Sequence, residues 1–591
     1  MSDTGRHAGR HSGDAQSTES ARTPSPFGRL WRWLDEKPVR ALLIGLAVTA
    51  VLYLLNLPNS PDFDIDEVAY ALAGQHVGAS GSVSWDSAAI LVHPPLYFGL
   101  LGVWMTITGH AHGDVIAAIH AARYFDAICD IALVALIGIA ARVWTGEGAA
   151  RRRGRIILTA VLLAALNGFL LRFGRAVLID PTAILFSMGT ALVAWQLRTA
   201  RAATYVGVVG GCIGLSLLTK EPAVFIAVAP LVAAVLRRER RAVGLNLLAF
   251  LVGLTVWSAF PIWAAANGHW ASFYSTQTIS LRRLLGVLQL SGLNRAGASP
   301  SNAFLQTFLQ YAGGYLIFFV GLICLIIGTW RFWRKRLSDN REGASYMLGL
   351  GLASYAFLIY SVTFGQSEEQ LTLYVMPAAV LLAVDFRRML GLRPDGWALL
   401  RVLEPVATLA CALAIALGAI SWSLYDWPLV DNANESAADF ISRNLPACAP
   451  VNATGDIFTW RGILRRNPVY EFGNGPQALS RGVHIFLLSP KNIEFHYGVF
   501  DAEFVPWLKA NGHQVYYHSS HTYKSLSVWV VGDPTPPAGE SLAHCVAGLP
   551  PASPTASVWV FAGILSGILV VDALGVWALG TTRGRRTALR A

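Results

Sequence analysis

The chain has 591 residues, of which 54% are hydrophobic and only 14% charged, with a mean hydropathy of +0.46. A soluble domain carries about 25% charged residues, so this composition excludes a soluble globular protein and leaves the membrane class. The net charge of +10 would suit nucleic acid only if the basic residues formed one stripe with interleaved aromatics; they lie instead in short clusters between apolar runs, so nucleic acid is excluded as a partner.

Residues 1–38 are rich in Ser, Gly, His, Arg and Pro and are expected to form a disordered cytoplasmic tail. They do not read as a signal peptide, because the first apolar run opens only near Val39 and runs on to Leu57 and Pro58. Arg29, Arg32, Lys37 and Arg40 before or at its start hold the N-terminus inside. A bilayer core of about 30 Å needs about 20 apolar residues as helix. Runs of that kind fall at 39–57, 115–142, 155–171, 181–198, 203–218, 222–236, 243–265, 308–330, 344–363, 371–386, 398–424 and 556–580. The fold class is therefore an all-α polytopic membrane protein of about twelve spans.

The apolar run from Pro94 to Thr108 decides the topology, since counting it as a span inverts every later loop. If it does not cross, Arg151, Arg152, Arg153 and Arg155, then Arg198 and Arg201, then Arg237, Arg238, Arg240 and Arg241 all lie inside. Arg331, Arg334, Lys335 and Arg336, then Arg387, Arg388 and Arg393, and finally Arg583, Arg585, Arg586 and Arg590 follow the same parity. The run is accordingly an interfacial or re-entrant helix on the outer side, started by Pro94 and Pro95. Residues 39–424 then form the transmembrane module, 425–555 an outer segment, 556–580 a last span and 581–591 a basic cytoplasmic tail, in a multi-pass protein of the cell membrane.

The outer segment alternates a helical run, Glu435–Asn444, with strand-like runs at 483–488, 514–517 and 525–531, which reads as a small α/β domain. Cys448 and Cys545 bracket it, and a disulfide between them is expected outside the cell. The other cysteines, Cys129, Cys212, Cys324 and Cys411, fall in apolar runs as packing residues.

Chemistry-bearing residues gather at the outer ends of the spans. Asp62, Asp64, Asp66 and Glu67 place four carboxylates within six residues directly after the first span. A bland use for Asp64 or Asp66 is to cap the helix that follows. Arg123, Asp126 and Asp130 share one helix face at i, i+3 and i+7, as an intrahelical ion pair or as part of a site. Asp180 stands before Pro181, the pattern of an N-cap, yet Arg172 and Arg175 beside it are suited to an anion. His93 before Pro94, Lys220 with Glu221 before Pro222, and His269 complete a ring of polar groups fitted to an anionic lipid headgroup and a polar acceptor.

The series Asp66-Glu67-Val68-Ala69-Tyr70, His93-Pro94-Pro95-Leu96-Tyr97, Arg172 to Asp180 and Leu218-Thr219-Lys220-Glu221-Pro222 resembles the GT-C membrane glycosyltransferases, over about residues 40–390. It is similar to the branch holding aminoarabinose transferase and the protein O-mannosyltransferases. The resemblance implies transfer of a sugar from a polyprenyl-phosphate donor to an envelope acceptor (lipid, glycan or protein) on the extracytoplasmic face, inverting, with Asp66 as general base. Glu67 and Asp180 join Asp66 as catalytic candidates, and Arg123, Arg175, Lys220 and His93 are candidates for the donor phosphate. A divalent cation would draw on Asp64, Asp66 or His269. Val92 and His93 stand where the aminoarabinose pattern resembles Glu-Lys, which sets that substrate apart. Two rivals remain: a transporter or flippase of lipid-linked sugar, and a non-catalytic envelope assembly subunit.

Overall fold

The computed structural model describes residues 26–588 except 64, 86–87, 147–151, 286, 289–299, 338–339, 364–369, 392–397, 456, 495–500, 502, 521–523 and 535–551. Helix α1 (Pro26–Glu36) departs from the expected tail. Its Leu34 is buried, and Asp35 takes the backbone N–H and the guanidinium of Arg155, the latter at 2.7–2.8 Å. A charge-assisted contact of this kind, added to a buried Leu, is what a polar tail lacks.

Helices α2 (Pro38–Leu54), α3 (Ile65–Ser80), α4 (Leu96–Ile107) and α5 (Val115–Trp144) follow, with a two-residue hairpin, β1 (Ser84–Trp85) and β2 (Ala88–Ala89), between α3 and α4. The third apolar run is broken into α6 (Arg153–Ala165) and α7 (Gly168–Phe173), because Asn167 caps α7 by accepting from the N–H groups of Phe169 and Leu170. Helices α8 (Ile179–Gln196) and α9 (Ala202–Thr219) complete the half that carries the site. Seven of the described helices are long and apolar enough to cross a membrane, and the remaining apolar runs are built from helices that are shorter or, as in α8, less apolar. Large apolar side chains such as Leu251, Ile326 and Leu409 stand exposed around the bundle, as lipid-facing positions require.

The basic clusters meet on one face. Arg388 donates to the carbonyls of Trp144 and Asn340 and Arg331 to those of Arg388 and Met389, while Arg198 reaches Glu342 and Arg237 reaches Ser345. These sites lie a full helix length from the opposite face, where α2 ends, α3 and α8 begin and α9 ends.

At 12 residues α4 is about 18 Å long, too short for a core of about 30 Å. It packs instead along α3 through glycines. A Cβ at Gly102 would lie 2.2 Å from Val77 Cγ1, and one at Gly74 would lie 2.7 Å from Leu101 Cγ. The two helices therefore approach almost backbone to backbone.

Residues 433–530 form the small domain. The expected helix is Ala433–Asn444, and the sheet holds β3 (Val451–Ala453), β4 (Val469–Tyr470), β5 (Ile485–Leu488), β6 (His513–Ser520) and β7 (Lys524–Val530) in the order β4-β3-β5-β7-β6. Strands β3, β4 and β5 are parallel, and β7 is antiparallel to both β5 and β6. Strands β3 and β4 are too short to show alternation, and β3 buries Asn452, which accepts from the N–H of Phe472. Cys448 is disulfide-bonded, and Cys545 lies outside the described residues. The domain sits on α3: a Cβ at Gly462 would lie 2.2 Å from Val68 Cγ1, and Phe458 packs edge-on against Trp85 of β1.

Replacing Gly102 by Ala should force α4 away from α3 and cost about 1–3 kcal/mol by overpacking. The check is thermal unfolding in detergent, where G102A melts below the wild type and V77A in the same chain recovers part of the loss.

Candidate active site

The loop after α2 is held by two buried arginines. Arg175 donates to the carbonyls of Leu52 (2.8 Å), Tyr53 (3.0 Å) and Leu55 (3.0 Å) through Nη1 and to that of Ser60 (3.1 Å) through Nη2. Several of these are the carbonyls that a helix end leaves without partners, so Arg175 closes α2. Its nearest carboxylate oxygen is Asp426 Oδ1 at 3.7 Å.

Arg123, on α5, makes a two-pronged contact with Glu67, Nε to Oε1 at 2.9 Å and Nη2 to Oε2 at 2.8 Å, with neither side chain exposed. Its Nη1 reaches the Leu57 and Pro58 carbonyls, and the N–H of Val177 donates to Glu67 Oε1 at 2.8 Å. The pair satisfies both charges in fork geometry, the condition on which a buried ion pair is tolerated. The intrahelical pairing of Arg123 with Asp126 or Asp130 is replaced by this contact. Asp126 instead accepts from the Tyr97 hydroxyl (2.7 Å) and from Thr182 (3.4 Å). Arg123 and Arg175, both candidates for the donor phosphate, are thus fully buried and committed to Glu67 and to backbone.

Asp66 differs from its neighbour. One residue of helix turns it about 100° away from Glu67, and it is half-buried while Glu67 is sealed. Both lie in the first turn of α3, where the helix dipole favours negative charge; neither is the residue before the helix. Asp64 lies outside the described residues. One turn further on, Tyr70 is buried and meets the half-buried His93 edge to face at 5.9 Å between centroids.

Asp180 does not cap α8. The cap position belongs to Leu178, which makes no side-chain bond, and Asp180 enters the first turn. Its carboxylate accepts from Lys220 Nζ at 2.9 and 2.8 Å and from the Tyr374 hydroxyl at 2.8 Å. Asp180 and Lys220, 40 residues apart, are therefore joined, as the start of α8 and the end of α9 meet. Tyr374 was hidden from sequence analysis inside an apolar run; its hydroxyl near the outer end of that run was the only signal. Beside Lys220, Glu221 Oε1 is buried with no hydrogen-bond partner among the described residues, and burial pushes its carboxyl up to about 7.

Asp62 stitches the loop to the small domain. It accepts from the N–H of Phe63 (2.9 Å) and of Asn434 (3.2 Å to each oxygen), at the start of the domain's first helix. Burial, and then the charge of Asp431, hold its carboxyl well above the usual range. Asn56 donates to the carbonyls of Asp426 and Leu429, and Ser60 to that of Tyr425.

His269 does not join Asp66. It bonds Thr555, at 2.9 Å, in a segment that runs beside residues 81–84 at the far end of α3, a helix about 24 Å long. Asp66 and His269 are thus not brought to one cation. Among the described residues no group of three His, Cys, Asp or Glu side chains is gathered for a metal.

No family model matches the sequence, and no curated protein matches it. Among solved structures, the chain is similar to the crystal structure of ArnT from Cupriavidus metallidurans bound to undecaprenyl phosphate, with 13% identity, a TM-score of 0.51, and coverage of 84% of this chain and 99% of that one. The apo state of the same protein aligns at 15% identity and TM-score 0.43, over 82% of this chain and 97% of that one. The arabinosyltransferase EmbB from Mycobacterium smegmatis aligns at 12% and 0.38, over 80% of this chain and 46% of that one. The first likeness shows the fold, the GT-C membrane fold that the motifs resembled.

Two outcomes check this geometry. Arg123→Met leaves the Glu67 charge in the interior without its guanidinium partner and should destabilise the protein by about 3–5 kcal/mol, seen as loss of monodisperse material after detergent extraction. Glu221 binds its proton more tightly folded than unfolded, so its contribution to stability is present near pH 4.5 and is lost as pH rises through about 7. Thermal unfolding of wild type and Glu221→Gln between pH 4.5 and 8 should show a steeper decline in the wild type, since Asp62, also raised, contributes to both.

Proposed function

We propose that the chain is a membrane glycosyltransferase that moves a sugar from a polyprenyl-phosphate donor to a hydroxyl or amine of an envelope acceptor, on the face opposite its basic clusters. The observation that carries this reading is the separation of two adjacent acids. Glu67 is locked to Arg123, which leaves Asp66 as the half-exposed carboxylate at the mouth of the bundle, on the same face as Lys220.

The sugar C1 already bears a phosphate, a good leaving group. Asp66 accepts the acceptor proton as the acceptor oxygen or nitrogen bonds to C1 and the C1–O bond breaks, its electron pair leaving with the phosphate. A single displacement inverts C1. Lys220, 16% exposed at its side chain, faces the departing negative charge, and Asp180 with Tyr374 fixes its ammonium in place. His93, beside Tyr70, borders the same opening. Arg123 and Arg175 serve as positioning residues in this reading, holding the Asp66 loop rather than the phosphate.

A transporter of lipid-linked sugar is less well supported. Such a carrier places its ionisable groups near the membrane midplane between repeated halves, whereas Asp66, Asp180, Lys220 and Glu221 all stand at helix ends on one face.

Asp66→Asn should fold and insert normally and lower sugar transfer at least about 100-fold, within the range that a general base supplies. The assay uses purified protein, a radiolabelled polyprenyl-phosphate sugar and an envelope extract as acceptor. Turnover near the wild-type rate would remove Asp66 from its assigned role.

A further inference from the structure

A span that merely anchored the small domain would need no bonds to the site helices. The last helix, Val558–Ala588, and the residues before it bond to the segment that directly follows α3 and to Thr255, Trp263 and His269. The N–H of Val83 donates to the Ala556 carbonyl and that of Val558 to the Gly81 carbonyl, both at 2.7 Å, around an antiparallel bridge between Ser82 and Ser557. Ser82 Oγ donates to the Ser553 carbonyl (2.6 Å), and the Ser553 N–H to Ser84 Oγ (3.1 Å). On the other side Trp263 Nε1 donates to the Ser557 carbonyl at 2.7 Å, and His269 bonds Thr555. Gly81, at φ +71°, leaves the space that Trp559 fills: an added Cβ would lie 2.5 Å from its Nε1.

Beyond this clamp the helix packs along α9, whose C-terminus delivers Lys220, and along Arg240–Trp257. Within the span, Thr255 Oγ1 donates to Asp572 Oδ2 at 2.8 Å. A carboxylate at membrane depth is expensive unless it is partnered or used, so this contact also fixes the helix in register. On the outer side of this helix Val570, Val571 and Leu574 are 57–67% exposed.

We infer that residues 552–572 form a brace that ties the far end of α3 to α9, and so fixes the separation of Asp66 from Lys220. The last span is a positioning element of the site and not only an anchor. This rests on the proposed function, in which those two residues act together. A helix of 16 residues moves as a rod, so freedom at Gly81–Ser84 displaces Asp66 at its other end.

The test uses the full chain with Ser84→Ala and Trp263→Phe combined, which removes the acceptor for Ser553 and the donor to Ser557 while keeping a ring at 263. Hydrogen–deuterium exchange in peptides covering 65–72 should rise at least ten-fold. Transfer kcat should fall at least ten-fold, with the donor KM within two-fold of wild type. Ser84→Thr, which keeps the hydroxyl, should restore both when paired with native Trp263. If the double variant is not recovered folded, Ser84→Ala alone carries the same measurements. Exchange at 65–72 and kcat both within two-fold of wild type, while exchange at 553–558 rises, would overturn the brace, as would faster exchange at 65–72 with unchanged kcat. A wild-type chain that transfers no sugar from any polyprenyl-phosphate donor defeats the proposed function instead, and the exchange measurement then decides the mechanical claim alone.

Discussion

The buried pair of Glu67 and Arg123 is the contact on which the site depends. It joins the first turn of α3 to the middle of the outer half of α5, and through the N–H of Val177 it also holds the turn that leads into α8. Three segments that are distant in sequence thus converge on one carboxylate. Because a charge in the interior is tolerated only with its partner in place, the pair also selects one arrangement of these segments over near alternatives. Arg175 performs the complementary task on the loop, gathering four carbonyls between Leu52 and Ser60 so that the chain leaves α2 in a defined direction.

With these arginines buried, the groups left at the opening are few. Of the polar groups singled out there, Asp66, His93, Arg172, Lys220 and Glu221 are partly exposed, and Asp180 and Tyr374 stand behind Lys220 as its fixed partners. The small domain and the last helix close the arrangement from outside, the first through Asp62 and Asn434, the second through the strand-like contact at Gly81–Ser84. A site made at helix ends is in this way supported by two parts of the chain that carry no reacting group.

Sequence patterns made the bundle legible because lipid imposes a strong constraint on composition and length. The run after His93 was placed off the spanning set by charge parity, and its 12-residue helix agrees. Asp180 and Lys220 were singled out separately, but nothing in their spacing showed that they bond each other, since that depends on where α8 and α9 end. The use of Arg123 and Arg175 was not legible for a similar reason: an arginine bound to backbone carbonyls looks, in sequence, like one waiting for a phosphate. Asp180 before Pro181 had the pattern of a cap, yet the helix begins two residues earlier than that pattern implies, freeing the carboxylate for Lys220. His269 stands apart from Asp66 because it bonds Thr555 beside residues 81–84, at the other end of α3. The helix Pro26–Glu36 lay within an expected tail because its support, Arg155, is more than a hundred residues away.

In the proposed function a lipid-linked phosphate binds near Lys220, where α9 ends and α8 begins, on the face opposite the basic clusters. A structure of the purified chain with an added polyprenyl phosphate tests it most directly. Phosphate density is expected within hydrogen-bonding reach of Lys220 Nζ and beside Asp66, with Glu67 and Arg123 still paired. Density on the opposite face, beside Arg152 and Arg153, or a site that takes the phosphate without contact to Lys220, would contradict it.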